Sequence, residues 1–184
     1  ASIGVIGAGS WGTALALLLH NNGHEVTLWS ILEDEVELLS TKRENPDKLP
    51  GVKLPEDMAV TSDLKQAMSG RDMLVLAVPS PFVRSTAHSM REVAAEGQII
   101  VNVSKGIEEA TLLTMSQVIK EEIPQAQVAV MSGPSHAEEV GKGLPTTIVV
   151  GADNRKTAEY IQGLFMSEVF RVYTSPDVTG IELG

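Results

Sequence analysis

At 184 residues, 43% hydrophobic and 21% charged, the chain is long enough to bury a sizeable core as one domain, or as one domain and the start of another. A formal net charge of −10 argues against a nucleic-acid partner, though it leaves room for local basic sites facing a small anionic ligand. With no cysteine there is no disulfide, thiolate nucleophile or Cys-ligated zinc. No apolar run reaches ~18 residues and no basic leader precedes the first one, so neither a membrane span nor a signal peptide is expected, and the cytoplasm is the default location.

The first element is a short apolar strand, Ile3-Gly4-Val5-Ile6. It runs into Gly7-Ala8-Gly9-Ser10-Trp11-Gly12 and then into a helix-favouring stretch from Thr13 to Leu19. Strand, glycine turn and helix in immediate succession are the context in which GxGxxG binds a dinucleotide. Gly7 permits the tight turn, Gly9 lets a pyrophosphate approach the backbone, and Gly12 lets the helix pack close to the sheet. The unpaired amides and positive dipole end of that helix attract a diphosphate. The competing reading is a chance match in a glycine-bearing chain.

Asn21-Asn22-Gly23-His24 supplies a helix stop, and Glu25 to Trp29 reads as the second strand. An acidic residue at its end would hold a ribose 2′-hydroxyl. Ser30 stands there instead, and Glu33 is better explained by a capping box, Ser30-Ile31-Leu32-Glu33, opening a helix through Leu39. No arginine sits beside Ser30 to welcome a 2′-phosphate, so the choice between NAD and NADP stays open. Thr41 to Pro55, polar and carrying Pro46, Pro50 and Pro55, reads as a loop, either disordered surface or a flap over the cofactor.

A weak strand at Met58–Val60 and a short helix from Asp63 to Met68 follow. Met73 to Val78 is continuously apolar, as a central parallel strand covered on both faces requires. Pro79-Ser80-Pro81 stops it, and Phe82 begins a helix to about Ala95. Phe82 is read either as core packing or as a nicotinamide contact. Gln98 to Val103 is another buried strand, ending in Ser104-Lys105-Gly106. A lysine is usually just solvated, but one at the carboxyl end of a central strand stands beside the ligand crevice.

A helix from Leu112 to Glu122 is followed by a strand, Val128 to Met131, closing in Ser132-Gly133-Pro134-Ser135-His136. Gly133 and Ser135 bring backbone amides and a hydroxyl to that strand end, whereas His136 reads more simply as a cap or hydrogen-bonded neighbour than as a general base. A strand from Pro145 to Gly151, a helix from Asn154 to Phe165 and a strand from Val169 to Tyr173 complete a Rossmann-type α/β domain with a doubly wound, mostly parallel sheet. There is no internal repeat and no metal-spaced cluster of His, Asp and Glu.

Five stretches together resemble one family, the bacterial NAD(P)-dependent glycerol-3-phosphate dehydrogenases. They are Gly7–Ala16, Leu76–Ser80, Ser104–Glu108, Ser132–Ala137 and Gly180–Gly184. The resemblance covers essentially the whole chain, and the last four stretches are more specific than the first. It implies reversible hydride transfer between sn-glycerol 3-phosphate and dihydroxyacetone phosphate, feeding glycerophospholipid synthesis. It also implies that Ser10, Trp11 and Ala137 contact the cofactor, Gly133 and Ser135 the substrate, and Lys105 both. Lys105 would then be the catalytic residue on this chain. Gly7, Gly9, Gly12 and Phe82 join the cofactor-binding set from the strand-end reading.

Two departures follow from the same comparison. The family's basic residue after the second strand is replaced by Ile31. The segment bearing its proton-transfer lysine, with the all-helical domain, would lie beyond Gly184. The expectation is a dinucleotide-binding domain over residues 1–175, with 176–184 opening the helical substrate domain. Such a chain would bind dinucleotide alone but turn over little, and the full-length enzyme could pair as a homodimer. The competing readings are another two-domain hydroxyacid or ketopantoate-type reductase, and a non-catalytic dinucleotide-sensing module.

Overall fold

The computed structural model describes residues 1–133 and 136–183. The chain opens with β1 (Ser2–Ile6), α1 (Ser10–Asn21), β2 (Glu25–Trp29), α2 (Glu33–Lys42), β3 (Ala59–Thr61) and α3 (Leu64–Met68). Next come β4 (Met73–Leu76), a 3-10 turn (Ser80–Phe82), α4 (Val83–Met90), β5 (Ile99–Asn102) and α5 (Met115–Glu122). The remainder is β6 (Gln127–Ser132), α6 (Ala137–Gly141), β7 (Thr146–Gly151), α7 (Arg155–Phe165), β8 (Phe170–Ser175) and α8 (Val178–Leu183).

The strands form one eight-stranded sheet in the order β3-β2-β1-β4-β5-β6-β7-β8. The first six strands pair in parallel, β7 runs antiparallel to β6, and β8 is parallel to β7. This is the Rossmann arrangement with two added strands, and the strand order reverses between β1 and β4. Side-chain alternation divides the core between two faces. Met73, Val75 and Val101 turn into one cluster with Leu15 and Leu19 of α1 and Ile161 and Phe165 of α7. Leu74, Leu76 and Ile100 turn into the other, with Ala87 and Met90 of α4 and Val118 and Ile119 of α5. Both faces of the central strands are therefore dry, which explains their unbroken apolar sequence.

Several boundaries depart from the sequence expectation. The capping box over Ser30–Glu33 does not form: α2 begins at Glu33, and Leu32 occupies the cap position without a side-chain bond. The Ser30 hydroxyl accepts from the Leu32 amide at 3.1 Å and donates to Glu35 Oε1 at 2.7 Å. That turn delays the helix by two residues. The 3-10 turn takes up Phe82, whose side chain is 58% exposed, so the core-packing reading of Phe82 fails. α4 stops at Met90, short of Ala95. α5 starts at Met115 because Leu112 takes a left-handed conformation (φ 62°) and Thr114 with Gln117 forms a capping box there.

The proline-bearing stretch between α2 and β3 is neither disordered surface nor a bare flap. Leu49, Val52 and Leu54 are buried in the larger core cluster. Arg43 pins the stretch by donating from Nη1 to the carbonyls of Met58 (2.6 Å) and Pro55 (3.2 Å).

Candidate functional site

The parallel strands all end at one edge of the sheet, and that edge carries the segments after β1, β4, β5 and β6. After β1, Gly7 adopts φ +123°, and a Cβ there would stand 2.6 Å from the Ala77 carbonyl oxygen. A Cβ on Gly12 would overlap the Gly7 carbonyl oxygen. Those two glycines let α1 sit on the turn that launches it. Gly9 differs: nothing lies within 4 Å of the position its Cβ would take. It is the N-cap of α1 and offers no side chain to the first turn, so that helix end faces open space uncapped by any side chain.

A cleft of about 200 Å³ lies beside that helix end, lined by Trp11, Val103, Lys105, Ser132, Gly133 and Ile148, among others. Trp11 arrives on the first turn of α1, Lys105 three residues past β5, and Gly133 immediately past β6. The tryptophan offers a flat apolar wall and the lysine a positive charge. Among the described residues, no carboxylate forms an ion pair with Lys105. Gly133 has a packing reason of its own, since a Cβ there would stand 2.6 Å from Ile148 Cδ1 and 2.8 Å from the Thr147 carbonyl oxygen.

A second, more open hollow of about 480 Å³ is lined by Ser10, Lys48, His136, Ala137, Glu138 and Glu139. Ser10 and Ala137 therefore meet across α1 and α6. The Ser10 hydroxyl donates to the Lys48 carbonyl at 2.5 Å, which ties the helix start to the folded stretch after α2. His136 occupies the N-cap position of α6, is exposed, and makes no side-chain capping bond. Phe82 lies beyond the end of β4 and lines neither hollow. Ser135 falls outside the described residues.

Four site features were not singled out from the sequence. Glu35 brings a carboxylate to the end of β2 after all, bonded to Ser30 and paired with Lys48 Nζ at 2.5 Å. It lies in the first turn of α2, beyond the strand end where an acid is ordinarily sought. Asn102 and Ser104 carry Lys105. The Ser104 amide donates to Asn102 Oδ1 at 3.1 Å, Asn102 Nδ2 donates to the Ser104 carbonyl at 2.8 Å, and the Ser104 hydroxyl donates to the Val78 carbonyl. Arg84 on α4 binds Glu108, and a hydrogen bond from its side chain holds the Glu108 carboxyl down at about 2. Thr111 adds a second bond in the same direction. Only Ser104 and Glu108 carried any signal, as the two ends of a recognised stretch.

Comparison with known proteins finds relatives over nearly the whole chain. A family model described as the N-terminus of NAD-dependent glycerol-3-phosphate dehydrogenase matches residues 2–158. The chain is 64% identical over 182 residues to a glycerol-3-phosphate dehydrogenase [NAD(P)+] of Agathobacter rectalis, covering 99% of this chain and 54% of that protein. It is 55% identical to the protein of that name from Fusobacterium nucleatum, covering 99% of this chain and 55% of the relative. A crystal structure of glycerol-3-phosphate dehydrogenase from Coxiella burnetii superposes with a TM-score of 0.93 at 33% identity, over 98% of this chain and 55% of that one. The chain thus spans about half the length of the relatives it matches.

Proposed function

The chain belongs to the NAD-dependent glycerol-3-phosphate dehydrogenase N-terminal family, and from that membership we propose that it is the dinucleotide-binding half of an enzyme interconverting sn-glycerol 3-phosphate and dihydroxyacetone phosphate. The carrying observation is the meeting of Trp11, Lys105 and Gly133 around one cleft at the carboxyl ends of β5 and β6, beside the open first turn of α1. The cleft lies at the carboxyl ends of the parallel strands, the side on which open α/β sheets bind their ligands.

The residues fit a nicotinamide dinucleotide, NAD or NADP. Gly9 leaves room for a diphosphate, and the amides at Ser10, Trp11 and Gly12 face it at the positive end of α1. Trp11 and Ala137 border the two hollows on either side of that helix end. The cofactor, when bound, supplies or takes up the hydride. The protein's part is orientation and charge. Lys105 presents its ammonium to an anionic or carbonyl oxygen of the phosphotriose, where preorganised positive charge is worth most. Gly133, with Ser135, contributes backbone and hydroxyl contacts to the same substrate. Phe82 is exposed near the strand ends and is assigned to the nicotinamide side of the cofactor.

Residues 1–175 form the nucleotide domain in this reading, and 176–184 begin a second, helical domain that completes the substrate site and contributes the proton-transfer group. The full-length enzyme acts in the cytoplasm, in glycerophospholipid synthesis, as a homodimer.

The test is a titration of NADH and NADPH against Trp11 fluorescence in a Trp29→Phe background. Trp29 is buried, its Nε1 donating to the Ser62 carbonyl at 3.1 Å, so it is the poorer reporter. Saturable quenching by either dinucleotide supports the reading. No quenching, together with no shift in melting temperature, overturns it.

A further inference from the structure

The last helix carries a buried carboxylate for which the proposed function has no use. Glu182 is 5% exposed, although Thr179, Gly180 and Leu183 beside it face solvent. Its Oε2 accepts from the Ser116 backbone amide at 2.8 Å and from Asn102 Nδ2 at 3.4 Å, and its Oε1 accepts from the Ser116 hydroxyl at 2.7 Å. These partners lie 66 and 80 residues away in sequence.

Capping α5 accounts for only part of Glu182: the helix has its own capping box, with the Gln117 amide bonded to the Thr114 hydroxyl and the Thr114 amide to Gln117 Oε1, and Glu182 takes the Ser116 amide that this box leaves over. The positive end of α5 does make the site hospitable to a negative charge. What Glu182 adds is the bridge to Asn102. The Asn102 side chain is 1% exposed and grips both the amide and the carbonyl of Ser104, the residue before Lys105. A carboxylate only accepts hydrogen bonds, so Glu182 engages the remaining amide hydrogen of Asn102 and fixes the orientation in which that grip is possible. A buried, fully bonded polar network of this kind rigidifies what it holds.

We propose that Glu182 is a positioning residue for Lys105. Through Asn102 it locks the end of β5 that carries the lysine, and it ties that lysine to α8, from which the second half of the enzyme continues. The inference rests on the role given to Lys105 in the proposed function.

The experiment compares E182A, E182Q, K105M and E182A/K105M in the full-length protein, by amide hydrogen exchange and by steady-state kinetics. In E182A, amides of residues 103–106 should exchange about tenfold faster while those of β1 and β4 stay unchanged. kcat should fall about tenfold with NADH affinity within a factor of two, and E182Q, which keeps the shape and most of the bonds, should recover most of that loss. In the K105M background, E182A should cost nothing further, because a residue acting through Lys105 loses its effect when the lysine is gone.

A uniform rise in exchange, an unchanged 103–106 segment, or a loss that adds in full to that of K105M overturns the proposal. Failure of the proposed function reads differently. Turnover of glycerol 3-phosphate that K105M leaves intact would remove the lysine's role and the Glu182 inference with it. Absent dinucleotide binding in the wild type would sink the functional reading, while the exchange pattern still judged the Glu182–Asn102 lock.

Discussion

Arg84 holds Glu108 with two parallel hydrogen bonds, Nε to Oε2 at 2.7 Å and Nη2 to Oε1 at 2.9 Å. Its remaining nitrogen, Nη1, reaches Glu121 at 2.9 Å and Glu122 at 3.1 Å on α5. One guanidinium thereby staples α4, α5 and the segment after Lys105. The segment is also held by the Glu108 amide donating to the Leu113 carbonyl at 2.8 Å. With Asn102 gripping the residue before the lysine, Lys105 stands on a short span anchored at both ends.

The pH dependence of that staple has a definite sign. Glu108, bonded first by Arg84 and then by Thr111, has its carboxyl lowered from 4.5 to about 2 in the fold. A depressed carboxyl contributes stability that is fully present above its unfolded value and is lost as pH falls through its folded one. The melting-temperature gap between wild type and R84M should therefore hold from neutral pH down to about 4.5 and close toward pH 2. Because the pair is partly solvated, the gap should also narrow in high salt. A gap that widens on acidification would contradict the assignment.

The glycines of the first turn separate packing from binding. In G12A the new Cβ collides with the Gly7 carbonyl oxygen, so α1 must move, at a cost of about 2 kcal/mol. Gly9 has φ −71° and open space around its missing side chain, so G9A should keep stability within about 1 kcal/mol of wild type. The same methyl lies where a diphosphate would approach, and dinucleotide affinity should drop about tenfold or more. Urea denaturation and Trp11 quenching measure the two effects. A G9A protein that binds NADH as tightly as wild type would remove the diphosphate from that position.

How much of this could be read in advance depends on the range of the interaction that decides it. β2 was expected over Glu25 to Trp29 and occupies those residues, because an apolar run between a helix stop and a polar turn is a local signal. The helices expected from Asp63 and from Asn154 form, and those two residues prove to be their N-caps, each accepting a bond from the first turn of its helix. Leu49, Val52 and Leu54 were masked by the prolines around them, and only long-range packing makes them core, with Gly141 of α6 lying against Leu49 and Val52. α5 was placed three residues early, although Thr114 and Gln117 spell its capping box in the sequence. For the candidate site, the strand-end reading pointed to Lys105 and Gly133 and the family resemblance to Trp11, and the three line one cleft. Glu35 and Asn102 carried no signal, and Glu182 only its place in Gly180–Gly184, because what matters is the partner of each, and for Glu182 the partners lie 66 and 80 residues away.

Lys105 should affect turnover far more than cofactor binding. It lines the cleft with no carboxylate paired to it among the described residues, so its charge is available to an incoming anion or carbonyl oxygen. In the full-length enzyme, K105M should lower kcat/KM for dihydroxyacetone phosphate by about 100-fold or more, the range expected when a preorganised charge is removed from a reacting oxygen. NADH affinity by Trp11 quenching should change by no more than about threefold, since the proposed diphosphate site is the first turn of α1. A loss confined to NADH binding would place the lysine on the cofactor alone.

Cofactor preference should turn on Glu35. Its side chain is 9% exposed at the end of β2, where it accepts from the Ser30 hydroxyl and pairs with Lys48. A ribose 2′-hydroxyl can donate to such a carboxylate, whereas a 2′-phosphate meets a like charge. In E35Q the negative charge disappears and the Lys48 ammonium, 42% exposed, is released to face a phosphate. Both changes act in the same direction. The ratio of NADPH to NADH dissociation constants should fall about tenfold at low salt, and by less at 1 M, where the Debye length is about 3 Å. An E35Q protein that melts like wild type yet keeps the wild-type ratio would show that the ribose lies elsewhere than the end of β2.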